Sequence, residues 1–305
     1  MKDSIFVIKT SILVILICVC IGSSGQSSLR SWKDINYAGD TMNYHRLDIY
    51  LPEGQIKASP VVIYIYGSAW FANDAKGAGM NSIGKALLEH GYAVVTPNHR
   101  SSRDATFPAQ IHDIKAVIRF IRANGSAYGI DTSFIAISGS SSGGHLASLA
   151  GTSTGIGIIS SHNTRMDLEG DVGNFTNASS ATDAVVDWFG PTDFLVMDSC
   201  GSRMNHNAPD SPESSLVGGP VQEYRDRCTL ANPIHDADPG VPPFLIFHGM
   251  ADPLVPHCQS EMLNDALQNN QVPSELILVK DGGHGPGVME EPNLLKMIAF
   301  LDHLH

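Results

Sequence analysis

Between residues 134 and 150 an apolar run, Phe134-Ile-Ala-Ile-Ser138, breaks into serines held between glycines, Gly139-Ser-Ser-Ser-Gly-Gly144. It resumes as His145-Leu-Ala-Ser-Leu-Ala150, with apolar residues three and four apart. The first part has the character of a buried strand and the last the spacing of a helix, so the chain must turn sharply across the residues between. Side chains at positions 139 and 143 would collide across so tight a turn, and Gly144 lets the helix lie close on the strand. A strand that feeds a helix in this way is a unit of a parallel sheet covered by crossover helices.

The same alternation runs through most of the chain. Strands are predicted at His45–Leu51, Val61–Tyr66, Ala93–Pro97, Phe134–Ser138, Ala184–Phe189, Pro243–His248 and Glu275–Lys280. Helical spacing marks Asn81–His90, Pro108–Ala123, Gly143–Ala150, Cys258–Asn269 and Pro292–His303. Runs such as Val61-Val-Ile-Tyr-Ile65 are apolar on both faces and need helices on each side. The fold class is therefore α/β, a doubly wound and mostly parallel sheet with helices on both faces. It is expected as one domain over residues 26–305. Ligands in such sheets bind beyond the carboxyl ends of the strands. Two long stretches, 152–182 and 194–242, break the alternation and are expected to form the rim facing the ligand.

Gly-x-Ser-x-Gly occurs twice, at 139–143 and 151–155. Only the first copy sits between a strand and a helix, the setting that lifts a hydroxyl above the sheet and points a helix N-terminus at it. Ser141 is accordingly the candidate nucleophile. A serine hydroxyl attacks only if a histidine takes its proton, and that histidine needs a carboxylate behind it. Among His257, His284, His303 and His305, only His284 follows a strand in a glycine-rich loop, Lys280-Asp-Gly-Gly-His-Gly-Pro286. Asp252 follows the strand before it and is preferred as the acid over Asp193. Backbone N–H groups for an oxyanion are expected from Ser142 and from the loop after an earlier strand, at Ser68 and Ala69. Tyr66, Trp70, Phe71 and Trp188 are the candidate pocket aromatics. His248, Asp252 and His257 could be imagined around a metal, but their spacing is unspecific, and neither metal nor cofactor is expected.

Residues 1–25 combine Lys2 and Lys9, an apolar run from Ser11 to Ile21, and a small polar end. That is the layout of a signal peptide, with cleavage expected near Gly22 or Gly25 and a secreted or periplasmic product. The apolar run is shorter than the roughly 20 residues of a spanning helix, so no membrane association is expected after cleavage. The net charge of −12 becomes one unit more negative with that segment gone, which disfavours nucleic acid and favours neutral or weakly charged small molecules. Of the cysteines outside the leader, Cys200 and Cys228 could pair in an oxidising compartment, or Cys200, Cys228 and Cys258 could all be free.

These residues resemble the esterase branch of the α/β-hydrolase superfamily that includes hormone-sensitive-lipase-like and bacterial feruloyl-esterase-like enzymes. The likeness covers nearly the whole chain after the leader. It is carried by Leu47-Asp-Ile-Tyr-Leu-Pro52, Ala105-Thr-Phe-Pro-Ala-Gln110, Tyr128-Gly-Ile-Asp131, Gly139–Gly144, Asp187-Trp-Phe-Gly-Pro-Thr-Asp193, His248-Gly-Met-Ala-Asp252 and Gly283-His-Gly285. The resemblance implies the α/β-hydrolase fold and a triad of Ser141, Asp252 and His284. It departs at the oxyanion loop, where Tyr66-Gly-Ser-Ala-Trp70 replaces the usual His-Gly-Gly opening, and at Ser142, often alanine in the family. The expected activity is hydrolysis of a small-molecule or glycan-linked ester, with acetyl and feruloyl groups of plant polysaccharides as candidates. The alternatives are a peptidase or amidase of the prolyl-peptidase type, and a non-catalytic binding protein on the same scaffold.

Overall fold

The computed structural model describes residues 29–305. The expected signal peptide lies outside the described residues. Among the described residues, ten strands and seven α-helices follow in chain order. The strands are β1 (Ser31–Asn36), β2 (Arg46–Tyr50), β3 (Ser59–Ile65), β4 (Ala93–Pro97), β5 (Ile130–Ser140), β6 (Ile158–Ser161), β7 (Thr164–Asp167), β8 (Ala184–Trp188), β9 (Phe244–Gly249) and β10 (Ser274–Val279). The helices are α1 (Lys85–Glu89), α2 (Ala109–Asn124), α3 (Ser142–Thr152), α4 (Pro212–Val217), α5 (Arg225–Leu230), α6 (Cys258–Asn269) and α7 (Glu291–Leu304).

Eight strands form one sheet in the order β1-β2-β4-β3-β5-β8-β9-β10. Pairing is parallel from β4 to β10, while β1 and β2 run antiparallel at one edge. Alternate residues of β3 serve two cores, as a period of two requires. Val61, Ile63 and Ile65 pack with α2, α3 and α6, whereas Val62 and Tyr64 pack with α1 and α7. Each inner strand is thereby buried on both faces, the reason it reads as an unbroken apolar run.

Strand β1 was not expected. Its residues, Ser-Trp-Lys-Asp-Ile-Asn, are largely polar and its register shifts between Trp32 and Ile35, so no clean alternation marks it. Residues 152–182 hold the hairpin β6–β7 and fold back on α2: Arg119 pairs with Glu169 and reaches Val172 O, and Lys115 pairs with Glu169 at 3.2 Å. Residues 194–242 hold α4 and α5. Ser211 starts α4 by accepting the N–H of Ser214 at 3.0 Å, with Pro212 in the first turn.

The pairing of Cys200 with Cys228 is corrected. Cys200 is bonded to Cys258, and Cys228 is a free, buried thiol on α5. The fold brings the segment before α4 against the first residue of α6, while α5 turns Cys228 inward to Val221 O.

Candidate active site

The turn between β5 and α3 is made at Ser141, whose φ of 54° and ψ of −124° lie where an L-residue goes only under constraint. Its N–H donates to Trp188 O at 2.9 Å, which ties the turn to the neighbouring strand. A Cβ on Gly139 would come within 2.1 Å of Gly143 O, and one on Gly143 within 2.3 Å of Ile65 O. Glycine is required at both positions by contact with backbone that cannot move aside.

His284, in the loop after β10, places Nε2 2.9 Å from Ser141 Oγ and Nδ1 2.7 Å from Asp252 Oδ2. With Nδ1–H donating to the carboxylate, Nε2 is left to accept the serine proton. Phe189 packs on the imidazole, with ring centroids 4.7 Å apart. The Asp252 side chain is fully buried, and its Oδ1 accepts the N–H groups of Leu254 and Val255 at 2.8 and 3.0 Å. Burial alone would raise its pKa. Interactions with His248 and His284, together with the Leu254 amide, outweigh that and hold the carboxyl well below the usual range. Asp252 is therefore ionised at neutral pH.

The other acid and metal candidates are occupied elsewhere. Asp193 accepts the N–H of Leu195 in a local turn and is not in contact with His284. His248 is buried, 3.5 Å from Asp252, and bonds to Ser260 Oγ and Val255 O. His257 pairs with Glu261 at the start of α6.

The loop after β3 takes left-handed backbone at two successive residues, Ala69 (φ 53°) and Trp70 (φ 57°). Its shape is fixed by Phe71 N–H to Ser68 O, Ser102 N–H to Trp70 O, and Ser68 N–H to Ser142 Oγ at 2.9 Å. That last bond corrects one expectation: the Ser68 amide is already taken by the hydroxyl of Ser142. Among the described residues, the amides of Ala69 and Ser142 donate to no acceptor, and Ser142 opens α3 with the positive end of the helix dipole.

A cavity of about 230 Å³ opens beside these groups, walled by Ala69, Trp70, Pro191, Met204, Leu254 and Val255, with Ser141, Ser142 and His284 at one end. His206, Pro212 and Glu213 complete it. Trp70 is held in place by His145 and Phe194, edge-on at 5.2 and 5.5 Å. Burial pushes the pKa of His145 down to about 4, so a neutral imidazole supports the indole.

Three aromatic assignments are corrected. Tyr66 is buried and stacked on His99, with its hydroxyl donating to Ala72 O. Trp188 is buried and stacked on Phe247 at 4.2 Å, on the sheet face of α7. Phe71 lies under the Arg103 guanidinium in a separate surface groove. Of the two long stretches, only 194–242 contributes to the cavity. The residues it supplies, Met204, His206, Pro212 and Glu213, carry no catalytic spacing in the sequence; the Ser-Pro-Glu helix start at 211–213 was the only local signal near them.

The model of the BD-FAE family matches residues 47–267, which spans β2 to α6. The chain belongs to the BD-FAE family. This BD-FAE chain has the α/β-hydrolase fold, with the loops after β3, β5, β9 and β10 gathered at the carboxyl ends of the strands. It is similar to a structure described as a truncated form of a carbohydrate esterase from gut microbiota, with 44% identity, a TM-score of 0.87, and 92% and 98% of the two chains covered. A bifunctional GH43-CE protein of Bacteroides eggerthii aligns at 49% identity and a TM-score of 0.86, over 90% of this chain and 35% of that one. A probable carboxylic ester hydrolase of Mycobacterium tuberculosis, LipM, is 31% identical over 241 residues, 77% of this chain and 51% of that protein. The chain spans about half the length of the curated relatives it matches.

Proposed function

We propose that this chain is a serine carboxylesterase that releases short acyl groups from carbohydrate esters. Ser141 Oγ attacks the ester carbonyl while its proton passes to His284 Nε2, and Asp252 steadies the imidazolium that results. The carbonyl oxygen, now negative, is met by the N–H groups of Ala69 and Ser142. His284 then gives the proton to the departing alkoxide, leaving an acyl group on Ser141. A water molecule repeats the sequence, releases the acid and restores the serine. Asp252 stays ionised throughout, because its depressed pKa keeps the proton on His284.

One observation carries this reading: the unbroken line Ser141–His284–Asp252, at 2.9 and 2.7 Å, ends beside two unoccupied amides and a mostly apolar cavity. The carbohydrate esterase name of the similar structure at 44% identity supports a sugar ester as the substrate. Acetyl groups suit a cavity of about 230 Å³, and feruloyl groups would fill most of it. Export is part of the proposal, supported by the Cys200–Cys258 bond, because such bonds persist in oxidising compartments.

The test is a hydrolysis series on aryl acetates, aryl butyrates and methyl ferulate, beside labelling with a fluorophosphonate. Wild-type protein should turn over the acetates and take up the label. Ser141→Ala should lose label and at least about 10⁴-fold in kcat, the scale seen when a triad serine is removed. Equal rates in the two proteins would end the mechanism, and a protein that binds esters without turning them over would favour the binding-protein reading.

A further inference from the structure

Away from Ser141, Ser142 and His284 the cavity is mostly apolar, and a buried pair stands in its wall. Glu213 and His206 line it with side chains only 4% and 3% exposed. Their Oε2 and Nδ1 atoms lie 3.0 Å apart as an ion pair, and Glu213 Oε2 has no other partner among the described residues. His206 is firmly held: its backbone N–H donates to Asp198 Oδ1 at 2.8 Å, and its ring Nε2 is shared between Ser202 Oγ and Leu254 O at 2.8 and 3.1 Å. A second wall residue, Trp70, has its indole Nε1–H buried with no acceptor among the described residues.

Buried polar atoms left without hydrogen bonds are few in folded proteins, because each forfeits its hydration for nothing. Here the cavity wall holds an acceptor, Glu213 Oε2, whose one partner is the His206 imidazole, and a donor, Trp70 Nε1–H, with none among the described residues. Desolvation of the Glu213 carboxylate has already been met by folding, so a ligand group that donates to it gains a charge-assisted bond without paying for that again. A carboxylate accepts only. It therefore selects a hydroxyl or an amide N–H and rejects an anion, while the apolar walls take an acyl methyl group.

We propose that Glu213, seated on His206, is a specificity-determining residue that accepts a hydrogen bond from a free hydroxyl of a neutral, polyhydroxylated ester. Trp70 Nε1–H donates to an oxygen of the same molecule. This rests on the esterase reading and adds to it the feature that separates a sugar ester from a plain alkyl or aryl ester. Neither residue touches the reacting atoms. Glu213 acts on binding, so its loss should appear in KM before kcat.

The experiment compares two substrates with the same acyl group: 4-nitrophenyl acetate, which has no hydroxyl, and a monoacetylated methyl xyloside, which has two. For Glu213→Leu, KM for the acetylated xyloside should rise about 10- to 100-fold, the worth of one hydrogen bond to a charged group, while kcat/KM for 4-nitrophenyl acetate falls by less than about 3-fold. Glu213→Gln keeps the shape and a neutral acceptor, so its rise should be smaller, and it decides the matter if the leucine variant does not fold. Thermal unfolding of each protein establishes folding. Equal losses on both substrates would show that Glu213 only supports the wall, and an unmoved xyloside KM would show that it binds nothing; either result overturns the proposal. Wild-type protein that cleaves the aryl acetate but not the xyloside overturns it too and leaves the esterase reading in place. Failure on both substrates removes both.

Discussion

Asp113 has no exposed side-chain surface, yet it is more acidic than an ordinary aspartate. Burial pulls the other way and is outweighed by His45 and by Arg100, whose guanidinium and backbone N–H both bond to the carboxylate. Asp113→Asn should destabilise the protein by about 3–5 kcal/mol, because it leaves Arg100 and His45 facing a neutral amide inside the fold. A carboxyl whose folded pKa is depressed stabilises above its unfolded value of about 3.9 and loses that effect as pH falls through the folded value. Urea unfolding should therefore show the full difference between the two proteins at pH 7 and a smaller one at pH 3. A difference that did not shrink in acid would mean that packing, and not charge, is at stake. At this same scale Ser141, His284 and Asp252 could be read from the chain, because each stands alone at a strand end in a turn with few other uses. The Ser68 amide was misread because its acceptor, the Ser142 hydroxyl, lies 74 residues away. Tyr66 and Trp188 were misread because nearness to a loop does not say which face of the sheet receives a side chain. Trp188 shares its face with Ala184 and Val186, under α7.

Among the elements, the inner strands were legible because burial on both faces leaves a run of apolar residues that few other structures use. Strand β1 was not, since an edge strand needs no apolar alternation and gains from charge that discourages further pairing. Residues 194–242 could be recognised as long and irregular, but not as the part that supplies four of the twelve residues lining the cavity. What fixes this segment to the sheet is partly covalent. The Cys200–Cys258 bond joins it to α6, which begins six residues after Asp252, across a sequence separation of 58. A closed loop of that length restricts the unfolded chain by about 4 kcal/mol in the chain-entropy account. Cys200→Ser should lower the Tm on the order of 10 °C in a calorimetric scan at fixed rate. A Tm within a degree of wild type would show that packing around Met204 and Leu254 holds the wall without the bond.

For the whole molecule, the excess of acidic over basic residues gives a net charge of −12, and the cavity adds a buried carboxylate at its wall. An anionic ester approaches against this field and a neutral one does not. Raising NaCl from about 0.02 to about 0.5 M shortens the Debye length from roughly 20 to roughly 4 Å. Under that change kcat/KM for an aryl hemisuccinate should rise several-fold, while that for an aryl acetate stays level. Parallel responses of the two esters would show that surface charge has no part in selection.

The odd cysteine has a wider consequence. Cys228 is buried, its pKa is pushed up to about 12 chiefly by desolvation, and its sulfur is turned to Val221 O. Exchange between thiols and disulfides needs a thiolate that can reach a sulfur–sulfur bond. Among the described residues the fold offers none, since Cys200 and Cys258 are spent on each other. Scrambling among these three cysteines is therefore confined to the time before α5 is packed, and the order in which that helix docks decides which two of them are joined.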